Sequence, residues 1–198
     1  NPFAFKPEPG SLGVVRISGA IAAERPASAA KVIPQLRQAF ESDRIRAVVL
    51  QIDSPGGAPV ESERIVSYLA EMRAKHPKPV YAVIETVGAS AAYMIAVGAD
   101  EIYAQRYSLV GSIGAMLAGW DLHRAMERYG VERRSFASGE LKTMLDPFQP
   151  ATEAATAKAQ SMVDSIGTLF VEDVREARGD RLVLDAERLA SGEVWNGV

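Results

Sequence analysis

The sequence contains no cysteine, which excludes disulfides, thiolate zinc sites and a cysteine nucleophile. It does not identify a compartment, since cysteine-free chains occur in reducing and oxidising ones alike. Only two histidines are present, His76 and His123, so a multi-histidine metal site is not expected. Charge of one sign is also lacking: 22 Lys and Arg against 25 Asp and Glu leave a formal charge of −3. That balance gives no electrostatic reason to expect nucleic acid as a partner. No window approaches the ~20 apolar residues of a membrane helix, and no signal peptide is visible. The chain begins at Asn1 rather than Met, and we expect an upstream segment, such as a targeting sequence or membrane anchor, to have been removed.

What is present is ordinary globular composition, 47% apolar and 24% charged over 198 residues, which excludes disorder and collagen-like repeats. One domain spanning 1–198 is expected. Residues 1–11, with three prolines, read as an N-terminal arm. Leu12–Ser18, Arg46–Ile52, Val80–Ile84, Glu101–Ala104 and Arg133–Ala137 read as strands. Arg46–Ile52 is nearly continuous in apolar residues and suits a strand buried on both faces. Helices are expected around Ile33, Leu36 and Phe40, around Ile65, Leu69 and Met72, over 88–99, over 121–129 with Gly130 as cap, and over 151–178. Strands alternating with helices, without repeats or a splitting linker, indicate α/β with a mainly parallel sheet.

In such sheets ligands bind beyond the carboxyl ends of the strands. Two segments there carry unusual chemistry. Ser54-Pro55-Gly56-Gly57 can bring backbone N–H groups close to a ligand, although Pro-Gly-Gly alone is more often a tight turn. Thr86–Ala92 places Ser90 at a helix start among small residues, where alone it reads as an N-cap. Together they suit acyl transfer: a nucleophile at one strand end, oxyanion donors at the next. Losing one such donor typically costs ~3 kcal/mol of transition-state stabilisation.

Ser90 needs a base. His123 lies on a polar-faced helix and His76 beside prolines in a loop, so lysine becomes the serious candidate. Lys6, Lys31, Lys75, Lys78 and Lys158 stand in polar contexts. Lys142 has apolar neighbours, although in isolation it too reads as a surface lysine.

These residues, in this order, resemble the signal peptide peptidase A family of Ser-Lys serine peptidases. Arg46–Gly57 is similar to its oxyanion strand and loop, and Gly88–Ala96 to its nucleophile helix. Gly98–Ala104, the Gly111-Ser112-Ile113-Gly114 loop, the lysine segment 139–148 and the late element 187–197 follow in order. The resemblance covers nearly the whole chain. It implies the Clp protease/crotonase-like fold, a repeated β-β-α superhelix. It implies Ser90 as nucleophile, Lys142 as general base, Ser112 orienting the lysine, and the N–H groups of Gly57 and Ala91 as oxyanion donors. It further implies hydrophobic peptide substrates such as cleaved signal peptides and a homo-oligomeric ring. A membrane-anchored, extracytoplasmic placement, through a segment absent from this chain, is implied as well.

No cofactor or metal is called for. Ala91 and Ala92 stand where the family usually has two glycines, and their methyls are expected to narrow the cleft. The chain stops at Val198, where the family continues with a closing strand, so a C-terminal segment is expected to be missing.

A free lysine is neutral in only about 1 of 2,500 molecules at pH 7, so a lysine base needs burial without a carboxylate partner. Leu141, Met144, Leu145 and Phe148 are the expected desolvating residues; Glu140 and Asp146 must point away. Two alternatives share part of this pattern. A crotonase-like acyl-CoA enzyme would need an acid such as Glu61 or Glu85. A non-catalytic, peptide-binding pseudo-peptidase would explain the alanine pair.

Overall fold

The computed structural model describes residues 10–198. Most of the arm expected over 1–11 therefore lies outside the described residues; Ser11 already begins a strand. The chain forms two compact units, one of Asn1–Ile113 with Phe170–Val198 and one of Gly114–Leu169.

The first unit holds one six-stranded sheet: β1 (Ser11–Ser18), β2 (Ile45–Ser54), β3 (Val80–Ala89), β4 (Glu101–Ala104), β5 (Leu109–Gly111) and β6 (Val194–Asn196). The spatial order is β1-β2-β3-β5-β6, with β4 also paired to β3. All pairings are parallel except β5 with β6. Helices α1 (Ala29–Glu41), α2 (Pro59–Lys75) and α3 (Ala91–Val97) connect the strands. This is the α/β, mainly parallel architecture that the alternation of elements predicts.

Alternation along the strands sorts side chains to two faces. Register lines up Val15, Leu50, Ala82 and Ile102 in one row, and Ile17, Ile52, Ile84 and Ala104 in the next. Val32, Leu36 and Phe40 of α1, Ile65 and Leu69 of α2, and Ile95 of α3 belong to the same buried cluster. Each fully buried Val, Leu, Ile or Phe contributes roughly 1.5–3 kcal/mol. The other face of β2 is only half-buried, at Val49, Gln51 and Asp53. The expectation of burial on both faces is therefore corrected: the core helices pack on one face only. A second cluster joins Met94, Val97 and Ile113 to Phe170 and Val174 of α5 (Glu153–Arg178) and to Leu189 of α6 (Ala186–Leu189).

Helix ends follow local chemistry. Pro59 opens α2, with Glu61 in its first turn and Arg73 and Lys75 in its last, matching the helix dipole. Arg73 pairs with Asp100, whose other oxygen accepts the N–H of Val80 at 2.8 Å, so Asp100 pins the start of β3 to α2. Pro34 sits inside α1, where it costs one helical hydrogen bond.

The second unit contains α4 (His123–Arg128), a 3-10 turn over Glu140–Thr143 and most of α5. The strand expected over Arg133–Ala137 does not form. All five residues are exposed, and among the described residues no strand pairs with them. An apolar residue in an alternating run needs a partner strand to become β structure.

Candidate functional site

The carboxyl ends of β2, β3 and β5 converge, with Ser54 in register with Gly88 and Ala89 in register with Gly111. Ser90 and Ser112 are the next residues on neighbouring parallel strands. Both adopt positive φ, 53° and 54° respectively. L-residues rarely occupy that region, at a cost of order 1–3 kcal/mol, and such strain concentrates at functional sites.

The strand β3 extends to Ala89 and the helix begins only at Ala91, so the helix expected from residue 88 is corrected to a strand, a single sharp residue and a short helix. Gly88 and Ala89 are drawn into the sheet by pairing with Ser54, Val110 and Gly111. Ser90 is held in its strained turn from both sides. Its N–H donates to the Gly111 carbonyl at 2.8 Å, and its carbonyl accepts the N–H of Met94 at 3.0 Å. Its side chain makes no capping hydrogen bond, so Oγ is not spent as an N-cap. The peptide between Ser90 and Ala91 is planar and trans. With its carbonyl drawn into the helix, the Ala91 N–H points out of the helix start.

The glycine loop lies directly against this turn. A Cβ on Gly56 would stand 2.8 Å from Ser90 Cβ and 2.9 Å from the Ala91 nitrogen. A Cβ on Gly57 would stand 2.1 Å from the Ile21 carbonyl oxygen. Ile21 clamps the loop by donating to the Gly56 carbonyl at 2.9 Å and accepting from Ala58 at 2.7 Å. In such a parallel bridge the groups flanking Gly57 face Ile21, and the N–H of Gly57 itself faces the other way. The structure thus brings together Gly57, Ser90, Ala91 and Ser112.

Ala91 and Ala92 are 2% and 0% exposed and belong to the main core. Their methyls pack inward and line no open cleft, which corrects the expected narrowing.

Lys142 belongs to the second unit, on the 3-10 turn. It is exposed, as are Leu141 at 38%, Leu145 at 58% and Phe148 at 39%. The expected desolvation by these neighbours is therefore not found, because one short turn cannot enclose a lysine. The electrostatic requirement fares better at Asp146, whose carboxylate is occupied by Arg133 at 3.2 Å and by the Phe148 N–H at 3.0 Å. Among the described residues Lys142 forms no ion pair.

His123 is held by Asp121, with Nδ1 and Oδ1 2.5 Å apart. That contact holds the Asp121 carboxyl below its ordinary range. His76 ends α2 through its backbone N–H. Lys78 donates to the Ala39 and Ser42 carbonyls at 3.2 and 2.7 Å, capping α1. The acids that an acyl-CoA reading would use are engaged: Glu61 accepts from the Ala29 N–H and Arg64, and Glu85 from Gln51. No group of three or more metal-ligating side chains occurs among the described residues. Sequence reasoning named Ser54 only as part of the glycine loop and missed Ser62; both are fully buried beside the turn, and a lone serine carries no signal of its contacts.

A mainly parallel α/β sheet with a strained serine and a glycine loop at its carboxyl edge defines the class. Residues 72–198, nearly two thirds of the chain, match the model of peptidase family S49. The chain belongs to that family, and its fold is the Clp protease/crotonase-like α/β fold. It is 31% identical over 83% of its length to a putative signal peptide peptidase of Enterococcus faecium, covering 47% of that protein. It is 28% identical over 96% of its length to Protease 4 of Haemophilus influenzae, covering 31% of it. It is also 37% identical over 99% of its length to a protein named Na(+)/H(+) antiporter NhaA in Brucella melitensis, of which it covers 27%. The chain thus spans between about a quarter and a half of these relatives.

Proposed function

We propose that the chain is the catalytic part of a serine endopeptidase acting on hydrophobic peptides, among them cleaved signal peptides. The observation that carries this reading is Ser90: strained, uncapped, and packed against Gly56 at the strand ends. In the reaction, neutral Lys142 takes the Oγ proton as Ser90 attacks the peptide carbonyl. The N–H groups of Gly57 and Ala91 hold the oxyanion of the tetrahedral intermediate. The lysine proton passes to the leaving amine, the C–N bond breaks, and an acyl-enzyme remains. Lys142 then deprotonates a water, which attacks the ester and releases the acid with Ser90 restored. Ser112 orients the lysine. Ion transport is no part of this reading, since the chain covers 27% of the antiporter and its family match is to peptidases.

The function requires Lys142 to be desolvated. We assign that to assembly with further copies of the chain, as a ring. Within Gly114–Leu169 only Ala155 is buried, while Met116, Trp120, Tyr129 and Phe136 are 86%, 83%, 80% and 99% exposed. A unit with so little core leaves its apolar surface for a partner.

The test is hydrolysis of a fluorogenic apolar peptide across pH 6–10. Wild type should be active, with a rate that rises as a base loses its proton. Ser90→Ala and Lys142→Ala should each lose at least 10³-fold in kcat, given how strongly such residues act as a unit. Retention of most of the rate by Lys142→Ala would remove the lysine from the base role.

A further inference from the structure

Two elements supply the oxyanion donors; pairing of β2 with β3 at Ser54 and Gly88 and the packing of Gly56 on the serine turn set their separation coarsely. Gly57 lies two residues before α2, ahead of its N-cap Ala58, and Ala91 opens α3. Among the described residues, one side-chain hydrogen bond joins the first turns of these helices. Ser62, fourth residue of α2, is 0% exposed, and its Oγ donates to the Ala91 carbonyl at 2.9 Å. That carbonyl lies on the helix start whose N–H faces the site. A second buried hydroxyl, Ser54 Oγ, accepts the N–H of Gly56 at 3.1 Å and shapes the loop just before Gly57. Ile21 fixes the outer side of that loop, and Ser62 adds a direct tie from the first turn of α2 to the serine turn.

We infer that Ser62 is a positioning residue that sets the separation and aim of the Gly57 and Ala91 N–H groups. This rests on the assignment of those groups as oxyanion donors. Its loss lets the first turns of α2 and α3 drift apart by a fraction of an ångström. The oxyanion forms only in the transition state, so the penalty falls on kcat and not on ground-state binding. The Ala91 carbonyl keeps its place as a helical acceptor without Ser62, so the fold survives.

The full chain is compared as wild type, Ser62→Ala, Ser62→Thr, Ser90→Ala and Ser28→Ala. Ser28 is a buried serine whose Oγ has no partner among the described residues, and it controls for loss of a buried hydroxyl. The readouts are kcat, KM, the inhibition constant of a peptide boronate, and the thermal midpoint. Ser62→Ala should lose roughly tenfold to a hundredfold in kcat with KM within about threefold, and boronate affinity should fall with kcat. Ser28→Ala should keep both, and Ser62→Thr should recover part of the loss. The inference is overturned if Ser62→Ala keeps kcat within twofold. It is equally overturned if kcat falls only with the titre of active sites, or if Ser28→Ala falls alike. Should Ser62→Thr not fold, the split between kcat, boronate affinity and KM in Ser62→Ala decides alone. An inactive wild type, or a Ser90→Ala as active as wild type, overturns the peptidase reading and this inference with it; activity lost in Ser90→Ala but intact in Ser62→Ala overturns this inference alone.

Discussion

Gly56 has no room for a side chain. Its φ of +100° disfavours any L-residue, and an added methyl would meet the Ala89 oxygen at 2.7 Å as well as Ser90 and the Ala91 nitrogen. All three are held by backbone hydrogen bonds or sheet pairing and cannot yield cheaply. Gly56→Ala should therefore cost about 2–3 kcal/mol of stability and at least 10²-fold in kcat, checked by denaturant unfolding and peptide hydrolysis. Ser90 carries the complementary strain. The motif Gly-Ala-Ser-Ala-Ala was legible as a nucleophile candidate. Its φ was not, because a single torsion depends on the pairing of Ala89 with Gly111 and on the hydrogen bond to Gly111.

At the scale of elements, two lysines that composition cannot separate do different work. Lys78 is anchored to the last carbonyls of α1, whereas Lys142 is exposed on a 3-10 turn. Lys78→Met should destabilise by about 1.5–3 kcal/mol and leave kcat unchanged. Lys142→Met should leave the thermal midpoint within about 1 °C and abolish hydrolysis. Helix α5 offers a pH test. Burial, then Glu176, Glu63 and Glu172, raise the Asp173 carboxyl above its ordinary range. The stability linked to that group is complete below the unfolded pKa and is lost as pH rises through the folded one. Asp173→Asn should accordingly stabilise at pH 7 and not at pH 3. The gain should be below about 0.5 kcal/mol because the residue is exposed and screened, and urea midpoints at both pH values measure it. Helices α1 to α5 and the first four strands were readable from periodicity, whereas the one-turn α6 was not. Strands β5 and β6 were not, since three residues carry too short a pattern and owe their existence to pairing: Trp195 packs on Gly111.

At the scale of the whole molecule, the proposed function makes catalysis and association one question. If assembly desolvates Lys142, specific activity should rise with protein concentration and follow the oligomer seen by analytical ultracentrifugation. Phe136→Glu, on a residue 99% exposed, should lower both together without lowering the thermal midpoint of the first unit. An active monomer would contradict this. By itself the sequence determined the α/β class, the parallel sheet, the family and the order of its motifs, because periodicity and short glycine-bounded segments are local properties. It also determined what chemistry was available, through the absence of cysteine and the scarcity of histidine. Only the tertiary structure decided that Ala91 and Ala92 face the core, that Asp146 turns to Arg133, and that Ser62 reaches Ala91. Each of those depends on which groups the packing of distant segments leaves as neighbours, and no local pattern encodes a contact between a helix turn at residue 62 and another at residue 91.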